Sequence, residues 1–139
     1  MDRIAELVPS QQLAGMMPIL NAGVEEIGRE TAYPEEDLII GLRTILSAGI
    51  RPKDAIDVLW ATMSLTSRLG EEVAEAADAL TTVINIWGLD VKHAEDISER
   101  LADRVIRSTS TLRGLAKRLR EIGFKAAIEG RSFEETIRS

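Results

Sequence analysis

His93 is the single histidine of this 139-residue chain and the first residue to consider for chemistry. Asp90, Glu95 and Asp96 lie close to it in the sequence and could join it around a metal ion. Transition metals such as zinc prefer several nitrogen or sulfur ligands, however, and a calcium site needs a defined oxygen-rich loop that this segment lacks. The pattern therefore favours a solvated histidine in the first turn of a helix, and we expect no metal site.

The other side chains that could carry catalysis are not arranged for it. The chain contains no cysteine, which excludes disulfides, thiol nucleophiles and cysteine metal sites. No serine stands in a nucleophile motif, and the glycines form no phosphate-binding loop. Neighbouring acids could suggest acid–base chemistry, but adjacent residues on a helix point about 100° apart, and negative charge is favourable near helix starts. These acid pairs are Glu25/Glu26, Glu35/Glu36 and Glu71/Glu72. We predict a non-enzymatic protein with no catalytic residues, no cofactor and no small-molecule substrate.

A basic C-terminal region is the most distinctive charged feature of the sequence. The net charge is −6, but residues 1–99 carry 7 Lys/Arg against 18 Asp/Glu, and residues 100–139 carry 10 against 5. An acidic body with a basic end argues against general nucleic-acid binding, and no apolar run approaches the about 18 residues that a membrane span needs. The candidate partner surface consists of Arg113, Lys117, Arg118, Arg120 and Lys125. The simpler interpretation of these bases is a solvated face beside an intramolecular packing seam.

Helices must position these side chains, because helical punctuation recurs along the whole sequence. Breaks containing Pro or Gly recur about every 18–22 residues, which predicts helices of about 14–18 residues joined by short turns. The predicted breaks lie at residues 31–36, 48–54, 70, 88–90, 108–110 and 130–132. No segment alternates with the period of two that a strand requires.

Apolar residues between the breaks repeat with the period of a helix and form five stripes. The stripes are Leu38, Leu42, Ile45, Leu46; Ile56, Leu59, Trp60, Met63; Val73, Ala76, Ala77, Leu80, Val83, Ile84, Trp87; Ile97, Leu101, Val105, Ile106; and Leu112, Leu115, Leu119, Ile122. Each stripe covers one side of its helix, so neighbouring helices must pack antiparallel to bury it. We therefore predict an all-α array of antiparallel helical hairpins with about six to seven helices. Trp60 and Trp87 should belong to its core; if exposed, either becomes the first candidate for a partner contact.

The two ends of the chain differ from this regular pattern. Residues 1–30 are predicted as a separate N-terminal helical segment, kinked or mobile, because Pro18 and several glycines weaken the helix. Residues 31–139 are predicted as the main domain. Ser132 and Glu135 form a capping box at the start of a last helix. Since the chain stops about two turns later, we expect a fragment or a short version of a longer protein.

Four segments of the chain share their order and spacing with one known protein family. Residues 71–89 (EEVAEAADALTTVINIWGL) are similar to a family block that typically reads EAADALTTxLNAFGL, and residues 130–136 are similar to the family's GLSFEET. Residues 34–50 and 111–116 match the neighbouring helices. Over about residues 31–139, this ordered set resembles the core of phage tail tape-measure proteins. The positions that carry it are Ala77, Asp78, Ala79, Leu80, Thr81, Thr82, Gly88, Leu89, Phe133, Glu134, Glu135 and Thr136.

The resemblance implies a structural component of a phage or prophage-derived tail. Tape-measure proteins occupy the lumen of a growing tail tube, set its length and are released at infection. The implied partners are tail tube or tail tip proteins and sister copies, and the implied locations are the virion tail and the host cytoplasm during assembly. Neither nucleic acid nor membrane is expected as a partner.

Two departures from the family qualify this expectation. Intact tape measures are much longer, and even one continuous helix of 139 residues would reach only about 210 Å. The helix carrying the bases is also often neutral and Ala-rich in the family, which leaves its partner open. The alternative is a small helical adaptor outside the virion, since pairs of helices about 40 residues long occur in TPR-like and HEAT-like arrays. The signature residues of those repeats do not recur here.

Overall fold

The computed structural model describes residues 10–108 and 110–138, which form seven α-helices and no strand. The helices are α1 (Ser10–Glu30), α2 (Glu35–Ser47), α3 (Pro52–Leu69), α4 (Val73–Trp87), α5 (Ala94–Ser108), α6 (Leu112–Ile128) and α7 (Phe133–Arg138). A short 3₁₀ turn (Val91–His93) precedes α5. The predicted all-α fold is confirmed.

The helices end where the sequence contains residues suited to turns. Gly70 and Gly88 adopt left-handed backbone conformations, with φ of 69° and 59°, that end α3 and α4. The N–H of Gly70 donates to the carbonyl oxygen of Thr66 over 2.8 Å. Thr111 caps the start of α6, where its hydroxyl accepts a hydrogen bond from the N–H of Gly114 over 3.0 Å.

The N-terminal helix α1 continues through Pro18. Its residues Leu20, Val24 and Ile27 are buried against α2 and α3, in the same apolar cluster as the rest of the chain. Residues 1–9 of the predicted N-terminal segment lie outside the described residues. The division of the chain at residues 30 and 31 stays a prediction.

The helices form two layers joined by consecutive hairpins. From α1 to α6, each helix packs against the next helix and against the next but one. The odd-numbered helices α1, α3 and α5 therefore stack in one layer, while α2, α4 and α6 stack in the other. The contacts of α4 with α6 and of α3 with α5 are the most extensive, and α7 closes onto α6. This arrangement is the predicted array of helical hairpins.

The core between the layers consists mainly of Leu, Ile, Val and Ala side chains and forms one cluster. Trp60 and Trp87 pack against this cluster but are partly exposed, so they lie at its rim rather than at its centre.

The predicted burial of two stripe residues is wrong. Ile106 is 56% exposed and Ile122 is 37% exposed. In α5 the buried positions Ile97, Leu101 and Val105 advance by four residues, which turns Ile106 away from the core. In α6 the buried side passes through Gly123 and Ala126 instead of Ile122.

The reason for this shift in α6 is a close approach to α4. A Cβ atom at position 123 would lie 2.9 Å from Cδ1 of Ile86 and 3.3 Å from the ring of Trp87. The missing side chain of Gly123 allows the two helices to come this close.

Candidate interaction surface

The tape-measure-like residues of α4 lie mostly inside the protein. Ala77, Ala79, Leu80 and Thr81 are buried, whereas Asp78 is exposed on the side that faces α6. The buried alanines of this helix belong to the apolar core that α4 shares with its neighbours. The motif therefore builds the central helix of the even-numbered layer.

The two threonines of this motif bond to the backbone of their own helix. The hydroxyl of Thr81 donates to the carbonyl oxygen of Ala77 over 2.8 Å, and that of Thr82 donates to the carbonyl oxygen of Asp78 over 2.7 Å. These are the bonds to the preceding turn that such residues make when they lie in the middle of a helix. They satisfy the hydroxyls without any external partner.

The second group of tape-measure-like residues attaches α7 to the end of α4. Phe133 is buried, and its ring centroid lies 5.6 Å from that of Trp87 at an angle of 59°. The indole N–H of Trp87 donates to the carbonyl oxygen of Arg131 over 2.9 Å. Gly88 and Leu89 form the turn after α4, with Leu89 partly buried against the core. These residues thus connect two helices that are distant in sequence.

The start of α7 is capped as the sequence predicts. The N–H of Glu135 donates to the hydroxyl oxygen of Ser132 over 3.1 Å, and the hydroxyl of Thr136 donates to the carbonyl oxygen of Ser132 over 2.8 Å. Glu134 pairs with Arg100 of α5 over 3.4 Å. Residues 133–136 therefore all contact other residues of the same protein.

Two of the five candidate partner bases face an acidic side of α4. Arg113 pairs with Glu75, and Arg120 pairs with Asp78 over 2.7 Å. These pairs lie at the solvent-exposed edge of the seam between α4 and α6, where an ion pair adds little stability. For Arg113 and Arg120, the interpretation as a face beside an intramolecular seam matches the geometry.

The other three bases form no ion pair across this seam, although Lys117 borders the groove beside it. Lys117 and Lys125 are exposed and Arg118 is partly buried. None of the three forms an ion pair with any residue in the described part of the chain. Their role as a partner surface stays a prediction, and they are the members of the set that are available for it.

Two shallow grooves run along the even-numbered layer, and Asp78 lines both. The groove between α4 and α6 has a volume of about 400 Å³ and is bordered by Glu75, Arg113 and Lys117. The groove between α2 and α4 has a volume of about 430 Å³ and includes Ile40. Both are open to solvent, unlike the enclosed clefts in which small molecules usually bind.

The sequence analysis missed an exposed apolar pair on α6. Phe124 is 60% exposed and Ile128 is 85% exposed, and a spacing of four residues puts them on the same face of the helix. The signal was present in the sequence, since both residues fall off the stripe formed by Leu112, Leu115 and Leu119. Lys117 and Lys125 lie close to this face.

One carboxyl group near the grooves has a perturbed pKa. Partial burial, and next the neighbouring carboxylate of Glu75, raise the pKa of Glu71 above its ordinary value. The nearby guanidinium of Arg113 opposes this shift. Glu71 and Glu75 are therefore two like charges held close together beside the start of α4.

The region around His93 has the geometry of an ordinary helix start. His93 is exposed in the 3₁₀ turn before α5, where the side chain of Asp90 accepts a hydrogen bond from the N–H of Lys92 over 3.0 Å. Across residues 10–108 and 110–138, no group of three or more His, Cys, Asp or Glu side chains is placed to hold a metal ion. In the same residues, no helix is long and apolar enough to cross a membrane.

Comparisons with known proteins identify relatives of this chain. Residues 21–139 match the profile of a family described as phage-related minor tail protein. A curated protein named tape measure protein, from Pneumococcus phage Dp-1, is 22% identical over 138 residues, which covers 92% of this chain and 12% of that protein. The chain thus corresponds to about an eighth of the length of this relative. No solved structure matches.

Proposed function

Because the chain belongs to the phage-related minor tail protein family, we propose that it is a non-enzymatic, tape-measure-like domain that acts in tail assembly and length determination. The observation that carries this proposal is the position of the tape-measure-like residues in the fold. Those on α4 build the centre of one layer, and Phe133 attaches α7 to it. A motif of this kind preserves a packing geometry, which is what an assembly component requires.

The folded array of helices limits how much this domain could contribute to the length of a tail. A continuous helix rises about 1.5 Å per residue, whereas stacked helices lie about 8–10 Å apart, so three helices in one layer add little length. We propose that this domain supplies a defined packing unit within a longer protein, while other segments provide extended reach. Its partners in this proposal are tail tube or tail tip proteins and sister copies, in the host cytoplasm during assembly and then in the virion tail.

An in-frame deletion of residues 31–139 in the phage or prophage that encodes them tests this proposal. We expect tails to be absent or malformed in electron micrographs, because partners lose the surface on which they assemble. Normal tails would overturn the proposal. Complete tails shortened by about 1.5 Å per deleted residue would instead assign the segment to the ruler.

A helical adaptor outside the virion remains the second candidate, and the two-layered stacking of hairpins is the observation that favours it. TPR-like and HEAT-like adaptors stack helix pairs in the same way and bind partners along the surface of a layer. An adaptor predicts that the deletion leaves tails unchanged, and that the purified chain retains a non-tail protein of the same host through the groove between α2 and α4. Substitution of exposed Ile40 by Asp should then abolish that binding without unfolding the chain.

A further inference from the structure

The two ends of the helix array present different charges. Helix α1 packs mainly against α2 and α3, whereas α6 packs against α4, α5 and α7. Because the helices stack in chain order, α1 lies at one end of the array and α6 at the other. Each of these two helices therefore has an exposed face that no other helix among residues 10–108 and 110–138 covers.

The exposed face of α6 combines apolar and basic side chains. Phe124 and Ile128 form its apolar centre, with Lys117 and Lys125 beside it. Over residues Leu112–Ile128 the helix contains five bases and one acid, Glu121. Glu121 is exposed on the same side, one turn from each of these lysines. We call the face formed by Lys117, Glu121, Phe124, Lys125 and Ile128, which has a net charge of +1, the basic end face.

The exposed face of α1 has the complementary composition. Ile19 is 54% exposed, and Glu25, Glu26 and Glu30 are all exposed on the same helix, with Arg29 as the single base in its last turn. The buried residues Leu20, Val24 and Ile27 lie on another side of the helix. Arg29 is exposed between Glu25 and Glu26 around the helix. We call the face formed by Ile19, Glu25, Glu26, Arg29 and Glu30, which has a net charge of −2, the acidic end face.

The chain already joins an acidic helix side to a basic one within its own fold. At the seam between α4 and α6, Glu75 and Asp78 meet Arg113 and Arg120. The same combination of charges would recur between the acidic end face of one molecule and the basic end face of another. Opposite charges steer such an encounter and fix its orientation, while burial of Ile19, Phe124 and Ile128 supplies the apolar contribution.

We propose that copies of this chain associate head to tail, with the basic end face of one copy bound to the acidic end face of the next. A second copy is the occupant that fits, because each molecule carries both complementary faces at opposite ends of the array. Such a contact is heterologous, so it joins successive copies into a ring or an open row rather than into a symmetric dimer. This inference specifies the contact between sister copies that the proposed function includes, and it can be tested on the purified chain alone.

Two charge-reversal variants test the proposal. One carries Lys117→Glu and Lys125→Glu and loses the basic end face; the other carries Glu25→Lys and Glu26→Lys and loses the acidic end face. All four side chains are exposed, so circular dichroism should show unchanged helicity. A matched control carries Lys53→Glu and Arg107→Glu, two exposed bases outside both faces.

Light scattering at low salt should show a mass that rises with concentration above the 15.3 kDa monomer for the natural chain and for the control. Each reversal variant alone should remain monomeric. An equimolar mixture of the two should associate again, because the intact acidic face of one variant fits the intact basic face of the other, and the two reversed faces are also opposite in charge. Added salt should weaken this association by screening.

Three results would overturn the proposal. The natural chain could stay monomeric at its highest soluble concentration, both variants could associate as it does, or the mixture of variants could remain monomeric although its faces are opposite in charge. None of these results bears on the tail deletion, so failure of the head-to-tail contact and failure of the proposed function are distinguishable.

Discussion

Position 41 shows how a single residue determines the spacing of three helices. Gly41 is buried in α2, and a Cβ atom there would lie 2.8 Å from Cγ1 of Val73 and 2.9 Å from Cδ1 of Leu59. Both neighbours belong to the apolar core, and Leu59 is completely buried. The absence of a side chain at this position is therefore a packing requirement of α2, α3 and α4 together.

Gly41→Ala should lower the free energy of unfolding by about 1 kcal/mol. Alanine favours a helix over glycine by about 1 kcal/mol, but overpacking a core typically costs about 1–3 kcal/mol, and here the overpacking should prevail. Urea denaturation followed by circular dichroism measures the difference. Gly15→Ala is the matched control, since its Cβ would meet nothing within 4 Å and should raise stability. Equal stabilisation by both substitutions would contradict the packing role of Gly41.

Sequence reasoning predicted well the residues whose conformation or hydrogen bonding depends only on themselves and on residues nearby in the sequence. Gly70 and Gly88 end helices because the left-handed conformation is a property of the residue itself, and Ser132 caps α7 through atoms three residues away. Burial depends on tertiary neighbours instead. Ile122 was assigned to the core because no periodic pattern could reveal that Gly123 lies against α4.

At the scale of the elements, the boundaries of the helices could be predicted, but the helices against which each one packs could not. The breaks predicted at residues 48–54, 70, 88–90 and 130–132 separate helices in the structure. The pairing of Arg113 with Glu75, in contrast, depends on α6 packing beside α4 rather than elsewhere. Amphipathic stripes predict that each helix buries one side against another helix, but they do not predict which helix that is.

Phe133 and Ile137 are the two apolar side chains by which α7 joins the core, and Phe133→Ala should release this short helix because it removes the larger of them. Loss of a buried phenylalanine costs about 3 kcal/mol, and a six-residue helix has little stability of its own. Hydrogen exchange of the α7 amides should accelerate about a hundredfold, while α3 changes little.

The control for this experiment is Glu134→Ala, which removes the exposed pair with Arg100 but leaves the ring in place. It should leave exchange in α7 nearly unchanged. If both substitutions accelerate exchange equally, the ion pair and not the aromatic contact holds the helix.

At the scale of the whole molecule, the all-α fold and the tape-measure-like segment predicted from the sequence are both confirmed. Helix-period stripes between Gly and Pro breaks sufficed for the fold class. The arrangement in two layers could not be predicted from the stripes, because it depends on contacts between each helix and the next helix but one in the chain. The role of Lys117, Arg118 and Lys125 as a partner surface stays a prediction.

Removal of residues 1–30 tests whether residues 31–139 fold as a unit. The shortened chain should remain helical by circular dichroism but melt at a lower temperature, because Leu38 and Ile56 lose the cover of α1. Its urea m-value should also fall, since less surface is exposed on unfolding. A spectrum without helix would contradict the predicted boundary and make α1 an integral part of the domain.

The packing of each helix against its next and next-but-one neighbours also has a consequence for kinetics. Contacts of this kind give the chain a low contact order, and helical proteins with that property fold within microseconds to milliseconds. Stability is then close to a sum of local terms, so a pull on one end opens the hairpins one after another instead of all at once. A chain with such contacts should also refold after extension faster than a fold with distant strand pairings.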